Sequence, residues 1–331
     1  MIKVSKVYFL AGFFALLPAV APAAQFRHVI DLNGAWEFDQ TEAAFPPKKF
    51  TRRIPVPGLI FLAEPRIDQF EDYYAGTYQP RYNWYRRKFS VPADLKGSQA
   101  TVTLLKSKYV TQVYLNGLDL GRSIACYTPV EFAAGEAVRY GAENELLVCV
   151  GDRKRLPSEA AGSTDKEKVT YWPGIWDNVS VSFTGRFRVD RLLVLPDAAG
   201  GKATVKVRVR SFLPAQIQYG DPMNDSCRVE VALAEKRSGR AAGSQSRTVA
   251  LKRDNLTMVE FEIPVETLHR WSPEAPFLYT ASVELKDYAG QTSDRVEQNF
   301  GLRDFSRAGR HFTLNGEQYV LRGTNITLHR F

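Results

Sequence analysis

The sequence predicts an all-β protein made of two β-sandwiches, followed by a hairpin that opens a third unit. Short runs in which apolar and polar residues alternate are separated by turns rich in glycine, proline and asparagine. Between residues 25 and 183 no helical period extends convincingly beyond two turns. Alternation at a period of two indicates strands with one buried face. A chain of 331 residues is long for one core and suits two domains with a remnant.

The first 23 residues have the pattern of a secretory signal peptide. Lys3 and Lys6 precede an apolar run at 7–17, and small residues follow at 18–24. The apolar run is too short to span a membrane comfortably. We expect cleavage after Ala23, with an uncleaved anchor as the alternative. The mature protein is therefore expected to be exported, to the periplasm or the extracellular space, without stable membrane insertion.

Residues 24–185 are predicted to form a jelly-roll sandwich. Val113 and Leu115 alternate with polar or amphipathic neighbours, and Asn116-Gly117 then marks a type I′ hairpin turn. Short strands spaced by such turns over about 160 residues are typical of this architecture. Connections at 45–82 and 153–170 are long, and long loops in compact domains tend to be functional.

Residues 186–301 are predicted to form an immunoglobulin-like sandwich that acts as a spacer. The alternation is clearest where Val205, Val207 and Val209 interleave with basic residues. The same pattern recurs at 229–233, 259–263 and 281–285. About seven such strands in some 110 residues fit this architecture, although the paired cysteines of antibody domains are absent.

The last 30 residues, 302–331, begin another unit. Asn315-Gly316 lies between two short apolar runs and predicts a second hairpin, with a return strand through 319–321. The chain then ends on Phe331 without a polar tail. We expect the residues of greatest chemical interest to lie beyond that point.

Charge and cysteine content exclude several classes of function. The formal net charge is +8, but the basic residues are scattered along the strands, which favours solvated strand faces over a nucleic-acid partner. Four histidines and three cysteines show no clustering, which argues against a structural zinc site. No glycine-rich nucleotide loop occurs. No cofactor and no metal are therefore predicted.

The three cysteines, Cys126, Cys149 and Cys227, leave two readings open. An odd number is not a disulfide framework. Cys126 and Cys149 could pair in an oxidising compartment, but all three lie among apolar neighbours, where free buried thiols are common.

A series of short motifs, each weak alone, recurs in one order from about residue 26 to residue 331. They read Leu-Asn-Gly-Ala-Trp-Glu-Phe at 32–38, Trp-Tyr-Arg-Arg-Lys-Phe-Ser-Val-Pro at 84–92, Val-Tyr-Leu-Asn-Gly at 113–117, Glu-Asn-Glu-Leu-Leu-Val at 143–148, Tyr-Trp-Pro-Gly-Ile-Trp-Asp-Asn-Val at 171–179, Leu-Asn-Gly at 314–316 and Arg-Gly-Thr-Asn at 322–325. Together they resemble the non-catalytic front half of glycoside hydrolase family 2, which includes β-galactosidases, β-glucuronidases and β-mannosidases.

This resemblance implies a jelly-roll sugar-binding domain, an immunoglobulin-like domain and a (β/α)₈ barrel that holds both catalytic glutamates. Residues 302–331 would be only the first hairpin and strand of that barrel, which needs roughly 200–250 residues. The two carboxylates of a retaining mechanism are therefore expected to lie outside this chain, and no catalytic residue is assigned. The implied function is the front half of an exported exo-glycosidase, similar to a β-galactosidase, which hydrolyses O-glycosyl bonds of β-glycosides. This chain alone is predicted to be inactive.

Six residues are candidates for substrate binding. Three lie at the implied barrel mouth, Asn325, His329 and Arg330; three are aromatic, Tyr78, Trp84 and Trp172. Asn325 matches the family's Gly-x-Asn at the end of the first barrel strand. The family more often has histidine two places later, where this chain has threonine, so a structural rim pair is the alternative for His329 and Arg330.

The aromatic candidates rest on the stacking of aromatic faces on sugar rings. Tyr78 and Trp84 belong to an aromatic stretch that also contains Tyr73, Tyr74 and Tyr82. Trp172 lies in a similar context before Pro173-Gly174. An ordinary cluster at a strand edge is the alternative for all of them.

A different class of function also stays open. The chain could be a complete, non-catalytic carbohydrate-binding or adhesion protein made of two sandwiches. That alternative predicts a polar, self-contained C-terminus, which residues 319–331 do not provide. The sequence predicts no oligomeric state.

Overall fold

The computed structural model describes residues 27–156, 172–212, 226–251 and 256–324. Strands are the main regular structure of these residues and there is almost no helix, which confirms the predicted all-β class. Within them there is one α-helix, α1 (Phe70–Ala75), and there are three single-turn 3₁₀ helices, at Ile60–Leu62, Ala93–Leu95 and Arg153–Arg155. No helix in the described ranges is long and apolar enough to cross a membrane.

The described part of residues 27–184, called the first sandwich here, contains thirteen strands. They are β1 (His28–Asp31), β2 (Gly34–Thr41), β3 (Arg52–Val56), β4 (Gly58–Leu59), β5 (Tyr82–Val91), β6 (Gln99–Leu104), β7 (Ser107–Lys108), β8 (Thr111–Leu115), β9 (Leu118–Ser123), β10 (Val130–Ala133), β11 (Ala142–Gly151), β12 (Gly174–Ile175) and β13 (Val179–Thr184). They form a four-stranded sheet in the order β1-β13-β6-β10, a six-stranded sheet in the order β3-β2-β5-β11-β8-β9, and a small sheet β4-β12-β7.

The two larger sheets of the first sandwich enclose one hydrophobic core. Val102 pairs with Val181 across β6 and β13, and Tyr85 pairs with Val148 across β5 and β11. All four side chains are fully buried in one cluster. Since burying one large apolar side chain contributes about 1.5–3 kcal/mol, this shared core accounts for the packing of one sheet on the other.

Ten further strands lie in the described residues between 187 and 319, and those up to residue 300 form what is called the second sandwich here. They are β14 (Phe187–Asp197), β15 (Lys202–Ser211), β16 (Ser226–Glu235), β17 (Ala241–Ala250), β18 (Leu256–Pro264), β19 (Tyr279–Lys286), β20 (Thr292–Phe300), β21 (Phe305–Ala308), β22 (His311–Leu314) and β23 (Glu317–Tyr319). Their sheets have the orders β14-β15-β18, β17-β16-β19-β20 and β21-β22-β23.

The second sandwich has its own core. Val207 pairs with Val259 across β15 and β18, and Val231 pairs with Val283 across β16 and β19. These side chains belong to a second hydrophobic cluster, which extends from Phe187 to Leu302. The predicted alternation of these strands is therefore confirmed, while the predicted domain limits at residues 185 and 301 stay predictions.

Both predicted Asn-Gly hairpins are present. Asn116 and Gly117 have φ angles of 52° and 86° and join β8 to β9. Asn315 and Gly316 have φ angles of 54° and 89° and join β22 to β23. Positive φ at both central residues is what a type I′ turn requires. The second return strand ends at Tyr319 and is shorter than predicted.

The prediction of one long connection at 45–82 was wrong, because this segment contains β3, β4 and α1. In β3 the side chains of Ile54 and Val56 are buried and those of Arg53 and Pro55 are exposed. A proline is tolerated there because β3 is the edge strand of its sheet. This strand was not predicted because only two of its side chains, Ile54 and Val56, are buried, which is too few to show a clear alternation. The other long connection, 153–170, lies mostly outside the described residues.

The three cysteines are free and buried, so Cys126 and Cys149 do not form a disulfide in this structure. Desolvation raises the pKa of Cys149 and that of Cys227 to about 12. Thiols that resist ionisation in this way are poor nucleophiles.

Phe261→Ala should destabilise the protein strongly, because Phe261 is 1% exposed in the core of the second sandwich. We expect a loss of about 3–5 kcal/mol in the free energy of unfolding, measured by chemical denaturation. Met258→Ala, on the same strand but 56% exposed, is the matched control and should change it by less than about 0.5 kcal/mol. Equal losses in the two variants would contradict the assigned inner face of β18.

Candidate functional site

A buried carboxyl group and a stack of aromatic rings meet at one end of β11. We call this group the Asp152 cluster; it consists of Tyr73, Tyr78, Asp152, Lys154 and Trp172. Asp152 directly follows β11, which ends at Gly151, and Trp172 lies two residues before β12. The cluster therefore joins a central strand of the six-stranded sheet to the small sheet.

Helix α1 and the turn after it bring the two tyrosines together. Tyr73 lies on the buried side of α1, and the helix is capped by Gly76, whose φ of 78° is left-handed. A glycine in that conformation is a common way to end a helix and reverse the chain. The chain then returns so that the ring of Tyr78 stacks on that of Tyr73, with centroids 4.0 Å apart.

The Asp152 carboxyl is fully buried and held by three donors. Tyr73 Oη donates to Oδ2 and Tyr78 Oη to Oδ1, each at 3.0 Å. The backbone N–H of Lys154 donates to Oδ1 at 3.1 Å. Burial raises the pKa of Asp152, and these hydrogen bonds oppose the rise without cancelling it. Burial also raises the pKa of Tyr73, so that its phenol stays a neutral donor.

Trp172 continues the stack towards the surface. Its ring is stacked on Tyr73 with centroids 4.9 Å apart, and Phe70 and Phe61 pack against it at 5.4 and 5.6 Å. Trp172 is only partly buried, and Phe61 is 40% exposed. Part of the Trp172 side chain is therefore exposed, and the orientation of its ring is fixed by three neighbouring rings.

Tyr78, by contrast, has little surface left for a ligand. It is 1% exposed, Tyr73 covers one side of its ring, and Lys154 Nζ lies 4.6 Å from the ring centroid. Lys154 Nζ also donates to the Tyr78 carbonyl at 3.1 Å. A sugar ring could stack on Tyr78 only if these groups moved.

Trp84 lies apart from the Asp152 cluster. It is on the face of β5 opposite Tyr85, since successive side chains of a strand point to opposite faces. Its indole N–H donates to Thr41 Oγ1 at 2.8 Å, and its ring lies 6.2 Å from that of Tyr114. Trp84 is only 2% exposed. It is therefore covered by its neighbours on that face of the sheet and offers almost no surface to a ligand.

The sequence-predicted site residues are thus only partly brought together. The structure joins Tyr78 and Trp172 through Tyr73, and it separates Trp84 from them. Asn325, His329 and Arg330 lie outside the described residues, so their predicted role stays a prediction.

Asp152 is the central residue that sequence reasoning missed. A carboxylate directly after the buried strand 146–150 was the available signal. Its two tyrosine donors lie 79 and 74 residues away along the chain, so no local pattern connects them. Within the described ranges, no group of three or more His, Cys, Asp or Glu side chains could hold a metal ion.

The family model described as Glycosyl hydrolases family 2 matches residues 187–303. Among curated relatives, a β-galactosidase of Clostridium acetobutylicum is 25% identical over 321 residues, which are 89% of this chain and 33% of the relative. A β-glucuronidase of Paenibacillus borealis is 22% identical over 319 residues, which are 90% of this chain and 49% of the relative. The chain spans less than half the length of these relatives.

Solved structures give the same picture of the fold. A β-glucuronidase of Bacteroides uniformis matches with a TM-score of 0.68 and 21% identity, over 90% of this chain and 35% of that one. A putative β-galactosidase from Bacteroides fragilis matches with a TM-score of 0.68 and 22% identity, over 88% of this chain and 44% of that one. The arrangement of strands described above is therefore shared with these proteins.

Asp152→Asn should remove a pH-dependent destabilisation. A folded-state pKa above the unfolded value favours the protonated form, so the stability that Asp152 contributes is greatest below about pH 3.9 and falls as pH rises through the raised pKa. The free energy of unfolding of the variant, minus that of the wild type, should therefore increase between pH 4 and pH 8 in denaturation experiments.

Asp177→Asn is the matched control for this effect. The hydrogen bond from Lys106 lowers the pKa of Asp177, so its contribution is present above the unfolded pKa and lost as pH falls. The corresponding difference should change with the opposite sign, and only at acid pH. A difference for Asp152→Asn that is flat, or that falls with rising pH, would refute the assigned pKa direction.

Proposed function

We propose that this chain, a relative of glycosyl hydrolases family 2 by its sequence and structural matches, is the sugar-binding front part of an exported glycosidase that acts on β-glycosides. The named relatives are β-galactosidases and β-glucuronidases, so the sugar proposed here is a β-galactoside or a β-glucuronide. In this proposal the chain binds and positions such a sugar, and the (β/α)₈ barrel implied by the resemblance hydrolyses it.

The sheet arrangement supports the proposed domain types. Two sheets of four and six strands around one core agree with a jelly-roll in residues 24–185. Sheets of three and four strands around a second core agree with an immunoglobulin-like spacer in residues 186–301. The assignment of residues 302–331 to the start of a (β/α)₈ barrel rests on the resemblance alone.

The observation that carries the sugar-binding role is the position of Trp172. A partly exposed indole ring, held in place by Tyr73, Phe70 and Phe61, can stack on the apolar face of a sugar without a large loss of side-chain freedom. Tryptophan combines an apolar ring with an N–H donor, which suits surfaces that are partly apolar and partly solvated. In this proposal Asp152 positions Tyr73 beneath Trp172 and does not touch the sugar.

Export is proposed on the N-terminal pattern. Two lysines, an apolar run and a small-residue segment within the first 24 residues support cleavage after Ala23 and delivery to the periplasm or beyond. Edman sequencing of the mature protein, purified from a secreting host, should begin at Ala24. A start at Met1, or recovery only in the membrane fraction, would contradict this part of the proposal.

The chain alone should not hydrolyse aryl β-glycosides. The catalytic glutamates implied by the resemblance are assigned to the barrel, and a retaining mechanism needs both carboxylates about 5–5.5 Å apart. Release of nitrophenol from aryl β-galactosides and β-glucuronides should stay at the buffer rate. Activity that followed the protein through every purification step would overturn this assignment.

Trp172→Ala should weaken the binding of methyl β-glycosides. Calorimetric titration with the galactoside, glucuronide and mannoside should show a roughly two- to tenfold increase in Kd, which corresponds to about 0.5–1.5 kcal/mol for one aromatic contact. Tyr288→Ala, which removes an exposed aromatic ring from the second sandwich, should leave the Kd unchanged. Binding that is unaffected by Trp172→Ala would exclude this residue as the platform.

A further inference from the structure

We propose that the two sandwiches form one rigid body, locked at a fixed angle by a joint built from Arg27, Glu131, Arg188, Ser293 and Asp294. Domains of one chain usually move relative to each other unless their interface is large and hydrophobic, so a rigid joint made of polar contacts depends on their geometry. Here the contacts lie on both sides of the connection between β13 and β14. This inference does not depend on sugar binding.

The first contact is a buried ion pair across the two sandwiches. Asp294 of β20 is fully buried, and it accepts hydrogen bonds from Arg27 Nε at 2.9 Å and from Arg27 Nη2. The backbone N–H of Val189 donates to the same carboxylate at 2.7 Å. Arg27 directly precedes β1 of the first sandwich. Separation of the sandwiches would break both of these charge-assisted hydrogen bonds at once.

Arg27 also binds the backbone of the second sandwich. Its Nη2 donates to the Val189 carbonyl at 2.8 Å. The guanidinium group is therefore held both by a side chain of β20 and by a main-chain carbonyl of β14. Because a guanidinium group is planar and its donors have a fixed geometry, these contacts restrict rotation as well as separation.

The connecting segment itself is clamped against β20. Ser293 Oγ accepts from the Phe187 N–H at 2.7 Å and donates to the Phe187 carbonyl at 2.8 Å. The Gly185 N–H donates to the Ser293 carbonyl at 2.7 Å. A Cβ atom on Gly185 would lie 2.5 Å from Ser293 Oγ and 2.9 Å from Ser293 Cα. The main chain at Gly185 therefore packs directly against Ser293, with no room for a side chain between them.

A second ion pair involves β10, which is the edge of the four-stranded sheet opposite β1. Arg188 of β14 is buried, and its two terminal nitrogens donate to both oxygens of Glu131 on β10, at 2.6 and 3.1 Å. Two parallel hydrogen bonds of this kind fix orientation as well as distance.

The two ion pairs start from opposite edges of the four-stranded sheet of the first sandwich. Strands β1 and β10 are the two edges of that sheet, so the main chains at Arg27 and Glu131 are at least three strand spacings, roughly 14 Å, apart. Neighbouring residues of β14, Arg188 and Val189, are held from these opposite edges. A single contact would act as a pivot, whereas two separated contacts and a clamped connection resist bending.

The experiment measures the distance distribution between two spin labels, one in each sandwich, by pulsed electron resonance on the full chain. The labels replace Lys96 and Arg237, both of which are exposed, as Lys96→Cys and Arg237→Cys. The three native thiols are buried and should not react. We expect one narrow distribution for the otherwise unchanged protein, and a distribution at least twice as wide in Arg27→Met with Glu131→Gln.

The control is Arg208→Met, which removes an ion pair with Asp190 that lies entirely within the second sandwich; it should leave the distribution narrow. Glu131→Gln alone and Gly185→Ala are tested in parallel in case the double variant fails to fold, and each should widen or displace the distribution. A broad distribution in the unchanged protein, or a narrow and unmoved one in every folded joint variant, would overturn the proposal.

Discussion

Burial of polar groups inside an antiparallel sandwich is the constraint on which the rest of this structure depends. Each sheet must bury one face, and the side chains of Val102 and Val181, or of Val207 and Val259, satisfy that need with apolar groups alone. A carboxyl group that is buried in such a fold needs hydrogen-bond donors. Asp152 and Asp294 are fully buried and meet this condition with donors from other elements.

These two carboxyl groups therefore connect parts of the chain that apolar packing alone would leave free. Asp152 ties α1 and the following turn to the end of β11, and thereby fixes the aromatic stack that ends in Trp172. Asp294 ties β20 to the residue that precedes β1, and thereby fixes one sandwich on the other. The proposed sugar platform and the proposed rigid joint follow from the same physical requirement.

The sequence was sufficient where structure is decided by near neighbours. Alternation at 205–209 predicted a strand of the second core, and Asn116-Gly117 predicted a hairpin, because both signals lie within a few residues. It was insufficient where the deciding contact is distant. Nothing near Asp152 reveals its tyrosine donors, and an aromatic pattern alone cannot tell Trp84, packed on its own sheet face, from the partly exposed Trp172.

The most direct test of the account is a titration followed by the indole N–H signals of the five tryptophans in ¹⁵N-labelled protein. Addition of methyl β-galactoside or methyl β-glucuronide should shift the Trp172 signal in a saturable way and leave the buried Trp36 and Trp84 signals in place. Saturable binding that leaves Trp172 unmoved, or no binding of any β-glycoside, would contradict the claim that this part of the chain positions a sugar.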